Sequence, residues 1–488
     1  MNDLKEMGKL IDEVDARFVD DPSSFPLEEI EKIESVMNNL GKTIVVASED
    51  YIRFHYFKGN FYSVIYKHAI QNNDGVKAHW LNLTKDEKID VTVDSIKKSQ
   101  SEYIICMRNA GTADPILYPV LTNFANNLYR EHRIQESIDV ISPIVDIFPM
   151  ARMANARYLY ELAITMDNIS AKSFVLKKSK REYIRGLKEV DSRNIGSDQR
   201  EYFENMVVYL DRLVKIRYHD SKRYRATRKK TNDYKEWCSK NALTLSLMNI
   251  LNLRCVEDDV TIATFAITSF KLEQLYSFVS QFNTIKQEYN ISRYFLYQSS
   301  IKHDSVHESQ KDVVIEITNY EAVGYKTEML KTSIKAAHGV FDKIAQLCYT
   351  LFGTNAKSMK SIKNWISEEK NVSNSYFDVI QWLIDDTRNE ESQLSAYDFL
   401  RNVLEHRILR VYECYSVPWI EESVNRHKDE YSISIDELES NAYGSVKMAR
   451  DLILYFANAV NATNEYNHER NQFVVPMIVS KFEDEWKN

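Results

Sequence analysis

Glycine and proline are scarce in this chain, and that scarcity limits the folds open to it. The sequence has 488 residues, of which 11 are glycine and 8 are proline, well below the average usage of about 7% and about 5%. Because glycine and proline interrupt helices and supply tight turns, a chain poor in both favours long helices. The length is sufficient for two to four domains. We therefore predict an all-α fold.

The composition and charge are those of a soluble globular protein, with 27% charged and 44% hydrophobic residues. A net charge of −8 argues against a surface that is basic throughout, although it permits a local basic groove. The five cysteines are widely separated, which indicates reduced thiols rather than a disulfide framework or a zinc site. No apolar run reaches the ~18–20 residues of a membrane span, and the first residues are acidic where a signal peptide is basic. We expect a cytoplasmic protein.

Residues 1–214 show a spacing that resembles the tetratricopeptide repeat. Gly59 and Tyr62 stand three apart within a predicted helix, and Ala125 and Leu128 repeat that spacing before Pro149. In the tetratricopeptide family a small residue lies where two helices approach, and a proline ends the second helix. The 66 residues between the two small residues are close to two periods of ~34. A generic helical array with chance periodicity is the alternative.

Either arrangement predicts stacked helix pairs, whose concave face commonly holds a peptide or another domain. The next period falls at Leu159 and Leu162. We expect a regulatory protein or ligand to bind this domain. Residues 215–236 then carry nine basic and three acidic residues with three interleaved tyrosines. Such a run could track an RNA backbone, but it is more often a solvated linker. We predict a linker at 215–236 and a second helical domain at 237–488.

The second domain shows helical patterning in six segments, at about 264–300, 326–352, 374–386, 394–415, 433–462 and 470–486. One short stretch, 312–318, alternates in part and is the one candidate for a strand. The segment around residue 400 has apolar residues at spacings of three and four: Leu400, Val403, Leu404, Ile408 and Val411. We predict that one helix runs through all five.

Beside that stripe stand Arg401, Asn402 and His406. Asn402 and His406 are four apart and share a helix face, whereas Arg401 points roughly 140° away from His406, at ~100° per residue. A cation, an amide and an imidazole that changes charge near neutral pH form a plausible set for cleaving a phosphodiester. The alternative is structural: Arg401 and Glu405 have the spacing of a surface ion pair, and His406 could be an ordinary boundary histidine.

Arg401, the polar residue Asn402, three further residues and then His406 form a pattern. This pattern resembles the RNase signature of the HEPN superfamily. The segments 282–289, 293–294, 341–345 and 400–407 look like the blocks of one HEPN branch, in which degenerate tetratricopeptide helices precede the HEPN domain. Toxin members that pair with a nucleotidyltransferase antitoxin carry a tyrosine two residues after the histidine. This chain has Ile408 there, so control by that modification is doubtful.

The resemblance implies a C-terminal HEPN helical bundle that forms a homodimer and cleaves RNA without a metal or other cofactor, in stress response or antiviral defence. It assigns His406 as base or acid and Arg401 as the phosphate-binding cation. Asn402 would orient the imidazole or bind the phosphate. The family also includes members without catalysis, so a non-catalytic RNA-binding or scaffolding protein stays open, as does a plain repeat adaptor.

Two other sets of residues could bind metal ions. His303 and His307 have the spacing of metal ligands on a helix, and the acidic pairs 258–259 and 385–386 could hold Mg²⁺. A polar loop and helix caps are the more common uses of these patterns. The sequence has no glycine-rich phosphate-binding motif.

Overall fold

We describe the protein from a computed structural model. The described residues are 2–20, 27–46, 48–71, 85–111, 114–166, 168–189, 197–217, 232–251, 257–262, 264–266, 272–301, 321–352, 379–380, 383, 386, 392–413, 430–469 and 474–476. The chain divides into two compact units. The first comprises Met1–Ile164 with Lys172–Ser221, and the second Thr165–Ala171 with Lys222–Asn488. The main division falls inside the predicted linker; of that linker, residues 218–231 lie outside the described residues.

Helices account for most of the described residues, so the predicted all-α class is confirmed. In the described part of the chain up to residue 217, the helices are α1 Asn2–Asp20, α2 Leu27–Gly41, α3 Glu49–Gln71, α4 Lys85–Asn109, α5 Leu117–Arg130, α6 Ile134–Ile141, α7 Pro149–Ile164, α8 Ile169–Glu189 and α9 Ser197–Arg217. The later helices are α10 Asp233–Lys240, α11 Leu272–Ser300, α12 Tyr325–Phe352, α13 Gln393–His406 and α14 Ile435–Glu469, with a short 3₁₀ turn at Asn249–Leu251.

The described residues of the second unit also form four short strands: β1 Thr264–Ala266, β2 Ile408–Tyr412, β3 Glu430–Ser434 and β4 Val474–Pro476. β1 and β4 pair antiparallel, and β2 and β3 pair parallel with Leu409 opposite Tyr431. Among the described residues each sheet therefore has two strands.

Close helix contacts in the first unit depend on small residues, as the sequence predicts. Gly59 on α3 lies against the ring of Tyr103 on α4, and a Cβ there would come within 2.6 Å of that ring. Ser99 on α4 donates a hydrogen bond to the Gly59 carbonyl at 2.7 Å. Ala125 and Leu159 are both fully buried.

Some details of the repeat prediction are wrong. Between Gly59 and Ala125 the described residues form one pair of long helices, α3 and α4, rather than two short periods. Pro149 is the first residue of α7 and does not end a helix. Proline suits the first turn because its missing N–H would have no helical partner there. The tetratricopeptide assignment stays a prediction.

The core of the second unit is built on α11, α12 and α14. Ser292 on α11 and Ser333 on α12 exchange hydrogen bonds with each other's carbonyls at 2.8 and 2.9 Å. These serines satisfy their hydroxyls while the helices stay close together. Phe456 on α14 packs against Phe278 and Phe282 on α11, with ring centroids 6.0 Å apart in both pairs.

Three predicted helices of the second domain need correction. The one predicted at 264–300 begins as strand β1 and becomes helical at Leu272. Within the one predicted at 470–486, Val474–Pro476 form strand β4. The helix predicted through Val411 ends at His406, and Ile408–Tyr412 form strand β2. The predicted strand at 312–318 and most of 374–386 lie outside the described residues.

Candidate functional site

Helix α13 carries the predicted motif on the face opposite its buried side. Ser392 caps its first turn by accepting a hydrogen bond from the Ser395 N–H at 3.0 Å. Its buried residues are Leu394, Tyr397, Leu400 and Val403. This apolar stripe anchors the helix to the core, so that Arg401 and Asn402 are left on the accessible side.

Tyr397 sets how closely α13 approaches α14. Its ring lies over Gly444 of α14, where a methyl group would overlap the hydroxyl and ring carbons. Tyr397 is 7% exposed. The contact therefore requires glycine at position 444 and fixes the helix that carries the motif.

The structure brings Arg401 and Asn402 into contact. Arg401 Nη1 donates to Asn402 Oδ1 at 3.2 Å. Asn402 Nδ2 in turn lies 3.4 Å from Asp398 Oδ2, one helical turn earlier. Arg401 Nη2 lies 3.6 Å from Asp342 Oδ2 on α12. Two acids that the sequence prediction missed, Asp342 and Asp398, therefore join the arginine and the asparagine.

His406 is not joined to the other two motif residues. It is the last residue of α13 and is exposed. Within the described part of the chain, no hydrogen bond or ion pair links it to Arg401 or Asn402. The helix ends immediately afterwards, where the Arg407 N–H donates to the Val403 carbonyl at 2.8 Å. The imidazole is thus accessible to a ligand.

The structural alternative for the motif, an ion pair between Arg401 and Glu405, is not formed. Glu405 Oε1 instead lies 3.9 Å from Lys335 Nζ on α12, and Arg401 faces Asp342. Both contacts cross from α13 to α12. The cation of the motif is therefore oriented by Asp342 on a second helix as well as by Asn402 on its own helix.

A second histidine lies close to this cluster. His338 on α12 is buried and stacks on Phe341, with ring centroids 5.5 Å apart. Its Nε2 has no partner in the described part of the chain. Burial lowers the pKa of His338 to about 4; Asp398 opposes that shift and Arg401 adds to it. His338 is therefore a neutral imidazole near pH 7.

The Asp342 carboxyl is shifted in the opposite direction. Partial burial raises its pKa, Arg401 opposes that rise, and Asp398 adds to it. A sequence signal for these residues existed: His338 and Asp342 are four apart on one helix, as are Asp398 and Asn402 on another. The segment 341–345 also belongs to the blocks that carry the HEPN resemblance.

The acidic pair at 258–259 has a structural use. Asp258 accepts a hydrogen bond from the Leu245 N–H at 2.7 Å and a bidentate pair from Arg293 at 2.9 and 2.8 Å. Burial raises the pKa of Asp258, but the hydrogen bonds and charge of Arg293 outweigh this effect and lower the pKa.

The other predicted metal ligands, His303, His307 and Asp385, lie outside the described residues. Among those described, no group of three histidine, cysteine or acidic side chains has the arrangement of a metal site.

Comparison with known proteins identifies the segment around this site. Residues 269–463 match the family described as LA2681-like HEPN. The match contains α13, which carries Arg401, α12, which carries Asp342, and α11, together with most of α14. The predicted HEPN resemblance is confirmed over these residues. No curated protein and no solved structure matches the chain. None of the described helices has the length and apolarity needed to cross a bilayer.

Proposed function

We propose that this protein is an endoribonuclease whose active site is built on α13 of its HEPN segment. The observation that supports this most directly is the contact between Arg401 and Asn402 on the accessible face of that helix, with His406 exposed at its end. All three lie inside the segment that matches the LA2681-like HEPN family. The HEPN superfamily is generally one of ribonucleases, and the motif supplies the residues that RNA cleavage requires.

The chemistry follows from the three side chains. In RNA cleavage the 2′-hydroxyl attacks the adjacent phosphorus in line, and the 5′-oxygen leaves. The attack requires a base, the leaving group an acid, and the non-bridging oxygens positive charge. In this proposal His406 transfers a proton as base or acid, and Arg401 binds the non-bridging oxygens through its forked donors. Asn402 orients Arg401 through the hydrogen bond between them. The products would carry 2′,3′-cyclic phosphate and 5′-hydroxyl ends.

A homodimer would complete the site. One helix supplies one histidine, whereas a two-fold axis would place two motifs on opposite sides of one phosphate. One His406 would then serve as base and the other as acid. We place this activity in stress response or antiviral defence, where cleavage of RNA halts growth. That setting rests on the family resemblance.

The test is cleavage of total RNA by the purified protein in EDTA, compared on a denaturing gel with His406→Ala and Asn402→Ala. We expect discrete fragments from the wild type and none from His406→Ala. Asn109→Ala is the matched control for Asn402, because Asn109 also lies on an exposed helix surface, with its amide bonded to the carbonyl four residues earlier. This control should cleave like the wild type.

The second candidate function is non-catalytic RNA binding through the same helices. The exposed position of His406, without a hydrogen bond to Arg401 or Asn402 among the described residues, is the observation that favours it. It predicts that wild type and His406→Ala bind RNA equally in a filter-binding assay and that neither cleaves it. Equal fragments from both proteins would contradict the proposed role of His406.

A further inference from the structure

Two arginines in the first unit donate their hydrogen bonds to neutral side chains and lie over tyrosine rings. Arg130, the last residue of α5, donates from Nη1 to Ser63 Oγ at 2.7 Å and to Asn127 Oδ1 at 3.0 Å. Its guanidinium also lies over the Tyr66 ring, 5.9 Å from the centroid. Within the described residues its Nε and Nη2 donate to no acceptor, and the side chain forms no ion pair. Three of its N–H groups are therefore unused.

Arg157 on α7 repeats this arrangement one helix pair later. Its Nη2 donates to Asn126 Oδ1 at 2.7 Å, which also accepts the Tyr158 hydroxyl at 2.8 Å. The guanidinium lies over the Tyr129 ring, 4.4 Å from the centroid. Its Nε is buried and has no partner among the described residues. Two adjacent asparagines, Asn126 and Asn127, thus accept hydrogen bonds from the two guanidinium groups.

The two cations act on each other, and within the described residues neither forms an ion pair. Burial lowers the pKa of the Arg130 guanidinium; Tyr66 opposes this and Arg157 adds to it. The acid that acts on Arg157 is Glu161, which accepts the Tyr129 hydroxyl at 3.2 Å and forms no ion pair within the described part of the chain. Partly buried cations that form no ion pair are costly. An anion bound to both would remove that cost.

We propose that Arg130 and Arg157 form a binding site for the phosphate group of a small phosphorylated ligand. A guanidinium presents forked N–H donors that match phosphate oxygens, and two of them with unused donors can share one phosphate. Neutral amides and a hydroxyl hold both side chains in place without neutralising them. This site lies in the first unit and is independent of RNA cleavage by the second.

Titration calorimetry of the full-length protein with two probes, inorganic phosphate and adenosine 5′-monophosphate, tests the site. We expect Arg130→Gln and Arg157→Gln each to weaken phosphate binding at least about tenfold, because each removes a charge-assisted hydrogen-bond donor. Glu161→Gln should tighten binding about twofold to fivefold by removing a nearby negative charge. Competition between the probes shows whether they share one site.

Arg53→Gln is the matched control, because Arg53 pairs with Glu49 on the surface of α3. It should bind both probes like the wild type, and circular dichroism melting should show that every variant is folded. Comparable affinity for the two probes would assign the affinity to the phosphate alone, whereas tighter binding of the nucleotide with the same arginine dependence would add a ring contact. Absence of binding to either probe, or binding unchanged in both arginine variants, would overturn the proposal.

Discussion

Arg401 Nη2 on α13 lies 3.6 Å from Asp342 Oδ2 on α12, so the arginine of the motif faces a carboxylate. The two side chains are 34% and 61% exposed, and an ion pair this accessible contributes no more than about 1 kcal/mol. A phosphate can therefore compete for the same guanidinium. The pair orients Arg401 in the free protein. When substrate binds, the phosphate would replace Asp342 as the partner of Arg401.

The first prediction follows from this exchange. Asp342→Asn should increase the affinity for RNA by about twofold to fivefold, because the phosphate no longer competes with a carboxylate for Arg401. The measurement is filter binding of RNA in the His406→Ala background, where cleavage does not interfere. Glu31→Gln removes one negative charge from an exposed position on α2 and should leave the affinity unchanged. Weaker binding in Asp342→Asn would indicate that Asp342 positions Arg401 for the RNA.

The second prediction concerns the pH dependence of stability at His338. Its pKa is lowered from 6.5 to about 4, so the unfolded chain binds this proton more readily than the folded chain. The contribution of His338 to the free energy of unfolding is therefore fully present above about pH 6.5 and is lost as the pH falls toward 4. The loss is at most about 3 kcal/mol.

Urea denaturation at pH 7 and pH 4.5 measures this effect. His338→Leu keeps an apolar side chain in the site and has no proton to bind, so its unfolding free energy should fall less than that of the wild type between the two pH values. An identical fall in both proteins would show that other groups determine the acid sensitivity.

The third prediction concerns the contact between α13 and α14. Gly444→Ala should destabilise the second unit by about 1–3 kcal/mol, because the new methyl group overlaps the Tyr397 ring and that ring is held in the core. Thermal unfolding followed by circular dichroism measures the change. Gly111→Ala is the control, since a Cβ there meets no atom within 4 Å. Equal melting of the two variants would mean that Tyr397 can move without cost.

The fourth prediction concerns Arg293, which is 5% exposed and forms bidentate bonds to Asp258. Arg293→Met should lower the free energy of unfolding by about 1–3 kcal/mol, because it removes the hydrogen bonds of a buried guanidinium to Asp258 and to the Leu243 carbonyl. Chemical denaturation measures the loss. Arg200→Met removes an exposed pair with Glu204 and should cost less than about 0.5 kcal/mol. The double variant Arg293→Met with Asp258→Leu should recover part of the loss, since no unpaired charge is then left.

The sequence alone determined the helical class, the long helices and the motif. Scarce glycine and proline favour helices wherever apolar residues recur at spacings of three and four. For this reason α12 was predicted close to its observed bounds and α14 close to its first residue. The motif residues 401, 402 and 406 were visible because a helix fixes the angles between them. These properties depend on neighbours along the chain, and local spacing is sufficient to reveal them.

Only the tertiary structure decided where the helix ends and what surrounds Arg401. Ile408 and Val411 fit an apolar helical stripe, but Leu409 and Val411 alternate as residues of a strand do, and these two are buried beside β3. That pairing joins residues about twenty positions apart, which no local pattern records. The approach of Asp342 and His338 to α13 likewise depends on how α12 packs against it. Contacts between distant segments are set by the shape of the shared core, and they determine the charge at the motif.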